Sequence, residues 1–292
     1  FVEHVHSFID VNSLRSLKIV VDTANGMGGL VVPAAFKDLP FEYEILYEEL
    51  DGTFPNHPAD PLQAENLVDL QRRVMESDAD VGLAFDGDAD RVFLVDENAN
   101  LVSGSITTAL VASAILESHG PGPILHNLIC SRSTVEVIEA AGGDPIRTRV
   151  GHSYIKEVMA ETGAMFGGEH SGHYYFARNY GADSGLIAAL IVLERLSANQ
   201  GSLSSLVAPL QRYASSGEVN VAVINTSDAI ETVSDFFSEQ QQDRLDGLTV
   251  DCGEWWFNLR PSNTEPLLRL NVEGPDDGHV AHRVEQILAL FG

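Results

Sequence analysis

Short apolar runs rich in β-branched residues alternate along most of this chain with stretches whose apolar positions recur at helical spacing. Residues 17–21 form such a run, which ends in Asp22-Thr23-Ala24-Asn25-Gly26, and residues 30–36 then read as a helix. Residues 41–47 alternate apolar and acidic side chains at period two, the pattern of a strand. Over 65–75, Leu67, Leu70 and Val74 share one helical face, while 81–85 and 92–95 are β-rich runs on either side of a polar turn. The middle of the chain repeats the theme, with helices predicted over 107–117, 134–141, 154–161 and 185–196. Strands are predicted there over 124–129, 146–150, 164–166 and 174–176. Beyond residue 212 the pattern changes to a strand at 219–224, a helix at 229–239, three strand-like runs across 248–272 and a helix at 280–290. Strand–helix alternation implies mostly parallel sheets with helices on their faces, and the last pattern implies one small sheet covered by two helices. The expected fold is α/β: two tandem three-layer domains with mostly parallel sheets, 1–103 and 104–212, then an α+β domain over 213–292.

Charge narrows the functions open to such a fold. The chain of 292 residues carries 17 Lys and Arg against 43 Asp and Glu, a net charge of −26. That balance argues against nucleic acid, whose phosphate backbone is bound by clustered cations. No apolar run approaches the ~18 residues needed to span a bilayer, and the first residues lack a signal-peptide pattern. The expectation is a cytoplasmic protein with no membrane partner. Two cysteines, Cys130 and Cys252, exclude a disulfide scaffold and a cysteine-rich zinc site. The three pieces carry −14, −2 and −10, so an anionic ligand would prefer the nearly neutral middle one.

Four loops carry the candidate chemistry. In Asp86-Gly87-Asp88-Ala89-Asp90-Arg91, three carboxylates at alternate positions follow an apolar strand. If the loop curls, Asp86, Asp88 and Asp90 can converge on one hard cation, and Mg²⁺ prefers such oxygen ligands. An EF-hand is excluded because Arg91 stands where that loop needs glycine and strands flank the segment. Gly168-Glu169-His170-Ser171-Gly172-His173 presents a carboxylate, a hydroxyl and two imidazoles, a set suited to a polyhydroxyl ligand. Its two histidines would point to opposite faces of a strand, which disfavours a metal between them. Arg260-Pro261-Ser262-Asn263-Thr264-Glu265-Pro266 offers a guanidinium, side-chain donors and backbone N–H groups fit to cradle a phosphate. Arg269 is open to either a phosphate or a structural role. Thr148-Arg149-Val150-Gly151-His152 ends a strand and opens a helix, where ligands bind in open α/β sheets. A dinucleotide site at Gly26, Gly28 and Gly29 fails, since Val31 occupies the place of the third glycine.

Taken together and in this order, the segments FDGDADR, RVGHSYIK, GGEHSGHYYF and FNLRPSNTEPLLRLNVE resemble the α-D-phosphohexomutase family, as does DGTFPNHPADPLQAENL. GEHSGHYYF is most similar to the family's bacterial phosphomannomutases. The resemblance covers essentially the whole chain and implies the family's second, third and fourth domains, the last being TATA-box-binding-like. It implies a mutase moving phosphate between O1 and O6 of a hexose through a phosphoserine and a bisphosphorylated sugar. By the same resemblance, Asp86, Asp88 and Asp90 would hold one Mg²⁺, with Arg91 beside it. Glu169 and Ser171 would hold the sugar's O3 and O4, and Arg260, Ser262, Asn263 and Thr264 the unreactive phosphate. His152 and His173 would be contacts and proton carriers, and glucose or mannose 1,6-bisphosphate would activate the complete enzyme. The family's phosphoserine loop, usually Thr-Ala-Ser-His-Asn-Pro, has no match in these residues. The implied partner is a small phosphosugar, and these residues alone are expected to lack turnover. Two alternatives stay open at this point: a non-catalytic sugar-phosphate-binding protein, or a phosphoglucosamine mutase of the same family.

Overall fold

A computed structural model describes residues 1–262 and 267–291. Packing divides the chain into two units, Phe1–Arg147 with His152–Leu210, and Thr148–Gly151 with Gln211–Gly292. In the first unit the chain runs α1 (Val2–His6), β1 (Lys18–Asp22), α2 (Gly28–Phe36), β2 (Glu42–Leu46), α3 (Val68–Ser77), β3 (Val81–Phe85), β4 (Val92–Asp96) and β5 (Leu101–Val102). It continues through α4 (Gly104–His119), β6 (Pro123–Asn127), α5 (Arg132–Ala140), β7 (Asp144–Thr148), α6 (His152–Thr162), β8 (Phe166–Gly168), β9 (Tyr174–Phe176), β10 (Ala182–Asp183), α7 (Gly185–Ala198) and α8 (Leu203–Val207).

Two five-stranded sheets result, ordered β2-β1-β3-β4-β5 and β10-β9-β8-β6-β7. Each is parallel at its centre and carries antiparallel strands toward one edge. Strand β1 pairs in parallel with β2 and β3, and β6 with β8, while β4, β5, β9 and β10 pair antiparallel. The central strands β3 and β4 are buried along their whole length, as apolar runs covered on both faces must be. Leu70 and Val74 of α3 cover one face of the first sheet. Helices α4 and α7 are apolar on nearly every side, so both must lie inside. Their Ile106, Leu110, Leu186 and Leu190 belong to one core shared with Leu83 and Leu94 of the first sheet and Ile124 and Phe166 of the second. The two expected α/β pieces therefore share a single apolar core.

The second unit holds β11 (Ala214–Ala222), α9 (Thr226–Phe236), β12 (Gln241–Asp243), β13 (Leu248–Asp251), β14 (Trp256–Pro261), β15 (Leu267–Gly274) and α10 (Asp277–Leu288). Its sheet is antiparallel, in the order β11-β15-β14-β13-β12, with Ile230 and Val233 of α9 and Val280 and Ile287 of α10 in its core. Helices α4, α9 and α10 each start about one turn before the position predicted from apolar spacing. The cause is capping: Ser103, Asn225 and Asp276 accept hydrogen bonds from the first-turn N–H groups. No helix of the described residues is long and apolar enough to cross a membrane.

Candidate functional site

The carboxylate loop curls between β3 and β4. Ala89 takes a left-handed conformation (φ 63°), and its N–H donates to the Asp86 carbonyl at 3.3 Å. One carboxylate oxygen from each of Asp86, Asp88 and Asp90 thereby comes within 4.8 Å of the others. Met27 N–H donates to the Gly87 carbonyl at 2.8 Å, and a Cβ on Gly26 would meet that same oxygen at 2.6 Å. Glycine at 26 is what lets the β1–α2 turn support the loop this closely. Arg91 donates to Asp86 twice, from its backbone N–H to Oδ1 at 3.1 Å and from Nε to Oδ2 at 2.8 Å. Its Nη1 lies 3.4 Å from Asp60 in the DGTFPNHPADP segment. That segment is fastened by His57, whose Nε2 is 3.1 Å from buried Asp22.

The residues present fit a hard cation. Asp90 Oδ1 is buried with no hydrogen-bond partner among the described residues. Burial, then Asp86 and Asp88, pushes the Asp90 carboxyl up to about 7, and Asp88 is raised by burial and Asp86. Three crowded carboxylates with one guanidinium leave negative charge that a divalent ion would offset.

The second predicted loop packs directly on the first. Arg91 and His173 form an isolated antiparallel β-bridge, and Val92 N–H donates to the Gly172 carbonyl at 3.3 Å. His173 Nε2 faces Asp90 Oδ1 at 3.7 Å, and its Nδ1 lies 3.1 Å from Ser171 Oγ. Glu169 is 2% exposed and is held by Asn127 Nδ2 at 3.2 Å and the Tyr175 hydroxyl at 2.9 Å. His170 turns elsewhere, to Asn127 at 2.9 Å, so the two loop histidines do not share a partner set. His152, the first residue of α6, is 3.1 Å from the Tyr175 hydroxyl and 3.3 Å from Asp183 Oδ2. Burial, followed by His152 and Arg91, pushes His173 down to about 4, so its ring is neutral near pH 7. Burial and the Glu169 and Asp183 charges raise Tyr175. Asp86, Asp88, Asp90, Arg91, Glu169, Ser171, His152 and His173 thus form one continuous set in the first unit.

The structure adds residues that sequence reasoning missed. Asn127 and Tyr175 orient Glu169, while Asp183 joins His152 to Lys156, whose Nζ donates to Oδ1 at 3.3 Å. A cavity of about 600 Å³ lined by Phe8, Ile115, Met165 and Phe176 holds none of the predicted site residues.

In the second unit, Arg260 lies within β14 rather than in the loop that follows, and it is 3% exposed. Its Nη2 donates to Glu218 at 2.9 Å, and Arg269 Nε reaches the other oxygen of Glu218 at 3.3 Å. Ser262 N–H donates to the Leu267 carbonyl at 2.9 Å. Asn263 and Thr264 lie outside the described residues.

Comparison with known proteins meets this geometry. Residues 1–100 match the phosphoglucomutase/phosphomannomutase alpha/beta/alpha domain II, 103–213 its alpha/beta/alpha domain III and 218–290 its C-terminal domain. The chain belongs to the phosphoglucomutase/phosphomannomutase family. It is 41% identical over 280 residues to phosphohexose mutases of Xanthomonas campestris, covering 95% of this chain and 62% of theirs. It is 40% identical over 300 residues to a phosphomannomutase of Salmonella montevideo, covering 100% of this chain and 66% of that one. A crystal structure of a family protein from Burkholderia thailandensis superposes with a TM-score of 0.89 at 32% identity, covering 99% of this chain and 62% of the other. The chain thus spans under two thirds of the length of these relatives.

Proposed function

We propose that this chain forms the metal-holding, sugar-reading and phosphate-holding parts of a cytoplasmic phosphohexomutase that interconverts hexose 1-phosphate and hexose 6-phosphate, with mannose and glucose as hexoses. The observation that carries this reading is the bridge between Arg91 and His173, which sets three carboxylates against the loop of Glu169 and Ser171. Asp86, Asp88 and Asp90 would hold one Mg²⁺, which when bound offsets charge on a transferring phosphoryl group. Arg91, fixed on Asp86, adds a positive charge at the same place. Glu169 and Ser171 accept and donate hydrogen bonds to the sugar's O3 and O4. Their orientation is set beforehand by Asn127, Tyr175 and His173. His173, neutral near pH 7, can accept a proton as a weak base, and His152 lies beside it with ring centroids 4.5 Å apart.

Arg260, Ser262, Asn263 and Thr264 take the phosphate that is not reacting. Glu218 holds Arg260 at 2.9 Å, so a bound phosphate would share that guanidinium with it. The tasks divide among 1–103 for metal, 104–212 for sugar and 213–292 for phosphate. The phosphoryl donor is assigned to a phosphoserine outside these residues, and glucose or mannose 1,6-bisphosphate to the activation of the complete enzyme.

Titration calorimetry of the chain with mannose 1-phosphate and glucose 1-phosphate, in Mg²⁺, tests the reading. Both should bind, and Glu169→Gln and Ser171→Ala should each weaken binding by about tenfold, one hydrogen bond's worth. No binding of either sugar at millimolar concentration would overturn it.

A further inference from the structure

We propose that His152, His173 and Asp183 form a second metal centre, beside the aspartate loop but with its own donors, that takes Zn²⁺ or a similar borderline transition ion. One ligand atom from each of the three residues lies within 4.8 Å of the others. Three separate elements deliver them: His152 opens α6, His173 precedes β9, and Asp183 closes β10. The register explains the convergence. Asp183 pairs with Tyr175 across β9 and β10, and His173, two residues before Tyr175, projects to the same side of the strand.

The donors are suitably prepared. Lys156 takes Asp183 Oδ1 at 3.3 Å, while Oδ2 faces His152 at 3.3 Å. The imidazoles of His152 and His173 meet edge to face, with centroids 4.5 Å apart and planes at 76°. His173 has its Nδ1 3.1 Å from the Ser171 hydroxyl, an outer contact of the kind that orients a ligating imidazole and leaves Nε2 as its donor. His152 Nδ1 faces both Asp183 Oδ2 and the Tyr175 hydroxyl, so an ion held there would displace the Tyr175 contact.

Two imidazoles and one carboxylate are the donor set of zinc sites with an open fourth position, whereas Mg²⁺ prefers oxygen alone. Metal–ligand bonds of about 2.0–2.1 Å would require the donors to close by roughly an ångström. The His152 side chain is 53% exposed, which leaves it room to swing inward. A bound ion would compete with the roles proposed above for His152 and His173, and the test below reads the ion itself rather than turnover.

Co²⁺ is the probe, because nitrogen donors in a four- or five-coordinate site give it a strong visible band that six oxygen ligands do not. The 292-residue chain is titrated with Co²⁺ in a large excess of Mg²⁺, which occupies the aspartate loop. One equivalent should bind with that band. Asp183→Asn and His152→Ala should each weaken the binding by at least about tenfold. Lys156→Ala, which removes a competing cation, should tighten it. Asp88→Asn should leave the band in place. Circular dichroism of each variant checks its fold, and the near-isosteric Asp183→Asn guards against a loss caused by misfolding alone. Absence of the band, its survival in both ligand variants, or its loss in Asp88→Asn would overturn the proposal.

Discussion

Arg91 and His173 are joined by a single antiparallel bridge, and through it the aspartate loop and the loop of Glu169 and Ser171, which follow strands of different sheets, become one surface. The bridge relies on how closely α7 approaches it. A Cβ on Gly185 would sit 2.6 Å from both the carbonyl carbon and the oxygen of Arg91. Because the obstacle is backbone, it cannot be relieved by a rotamer change. Gly185→Ala should therefore cost about 1–3 kcal/mol in urea unfolding, the usual cost of overpacking. It should also weaken Mn²⁺ binding at the aspartates; unchanged stability and binding would mean that the loops tolerate separation.

Asp88→Asn separates function from stability at the aspartate loop. Asp88 is exposed, and burial of part of its carboxyl together with Asp86 raises its pKa, so its charge is unfavourable in the folded chain. Removing that charge should leave stability unchanged or slightly higher. Mn²⁺ binding by calorimetry should fall by at least about tenfold, the loss of one charged ligand. Unchanged binding would place the ion elsewhere.

His126 should make the chain acid-labile. It is 4% exposed in β6, and burial pushes it down to about 4. In an unfolded chain the imidazole titrates near 6.5. Between those values the unfolded state binds a proton that the folded state does not, so stability falls as pH drops through this window. The slope for one proton is about 1.4 kcal/mol per pH unit. His126→Leu should flatten the decline between about pH 6.5 and 4 relative to the parent chain. Parallel curves for the two proteins would show that His126 is protonated in the folded state.

Much of this site could be read from the chain because the signal was local. The runs VGLAF and VFLVD bracket three alternating aspartates, so strand, turn and strand follow from neighbouring residues. Asp183 could not be found that way. It is a single acid before the Ser184 cap of α7, and its importance comes from pairing with Tyr175 across the sheet. Asn127 and its bond to Glu169 are likewise tertiary. Arg260 reads as a loop residue because Pro261 follows it, yet β14 continues through Pro261, and Glu218 on β11 offsets the charge that burial would otherwise penalise. Helix α1 escaped notice because five residues with one buried side chain, Val5, have no periodicity to detect.

The complete enzyme should accept both mannose and glucose phosphates. If Glu169 and Ser171 hold O3 and O4, the contacts are made where the two sugars are alike, and C2, where they differ, is left unread. Discrimination should then stay within the few kcal/mol that one hydroxyl contact supplies. Steady-state kinetics giving a kcat/KM ratio beyond about 10⁴ in either direction would show a dedicated contact at C2.

The 292 residues should bind phosphosugar yet show no mutase turnover. Carboxylates, a metal and a phosphate cradle can orient a phosphoryl group, but exchange also needs a nucleophile that carries one between turnovers. Ser171 Oγ is 3.1 Å from His173 Nδ1. A carrier must give up its phosphoryl group to two different sugar oxygens, whereas Ser171 sits in the loop proposed to hold the sugar in either orientation. Ser153 lies in the first turn of α6, one residue after His152. The assay incubates the chain with mannose 1-phosphate, Mg²⁺ and catalytic glucose 1,6-bisphosphate and follows mannose 6-phosphate. The expected result is no product above background, with sugar binding retained in parallel calorimetry. Sustained turnover abolished by Ser171→Ala or Ser153→Ala would identify a phosphoryl carrier within these residues and overturn the assignment of the donor to another segment.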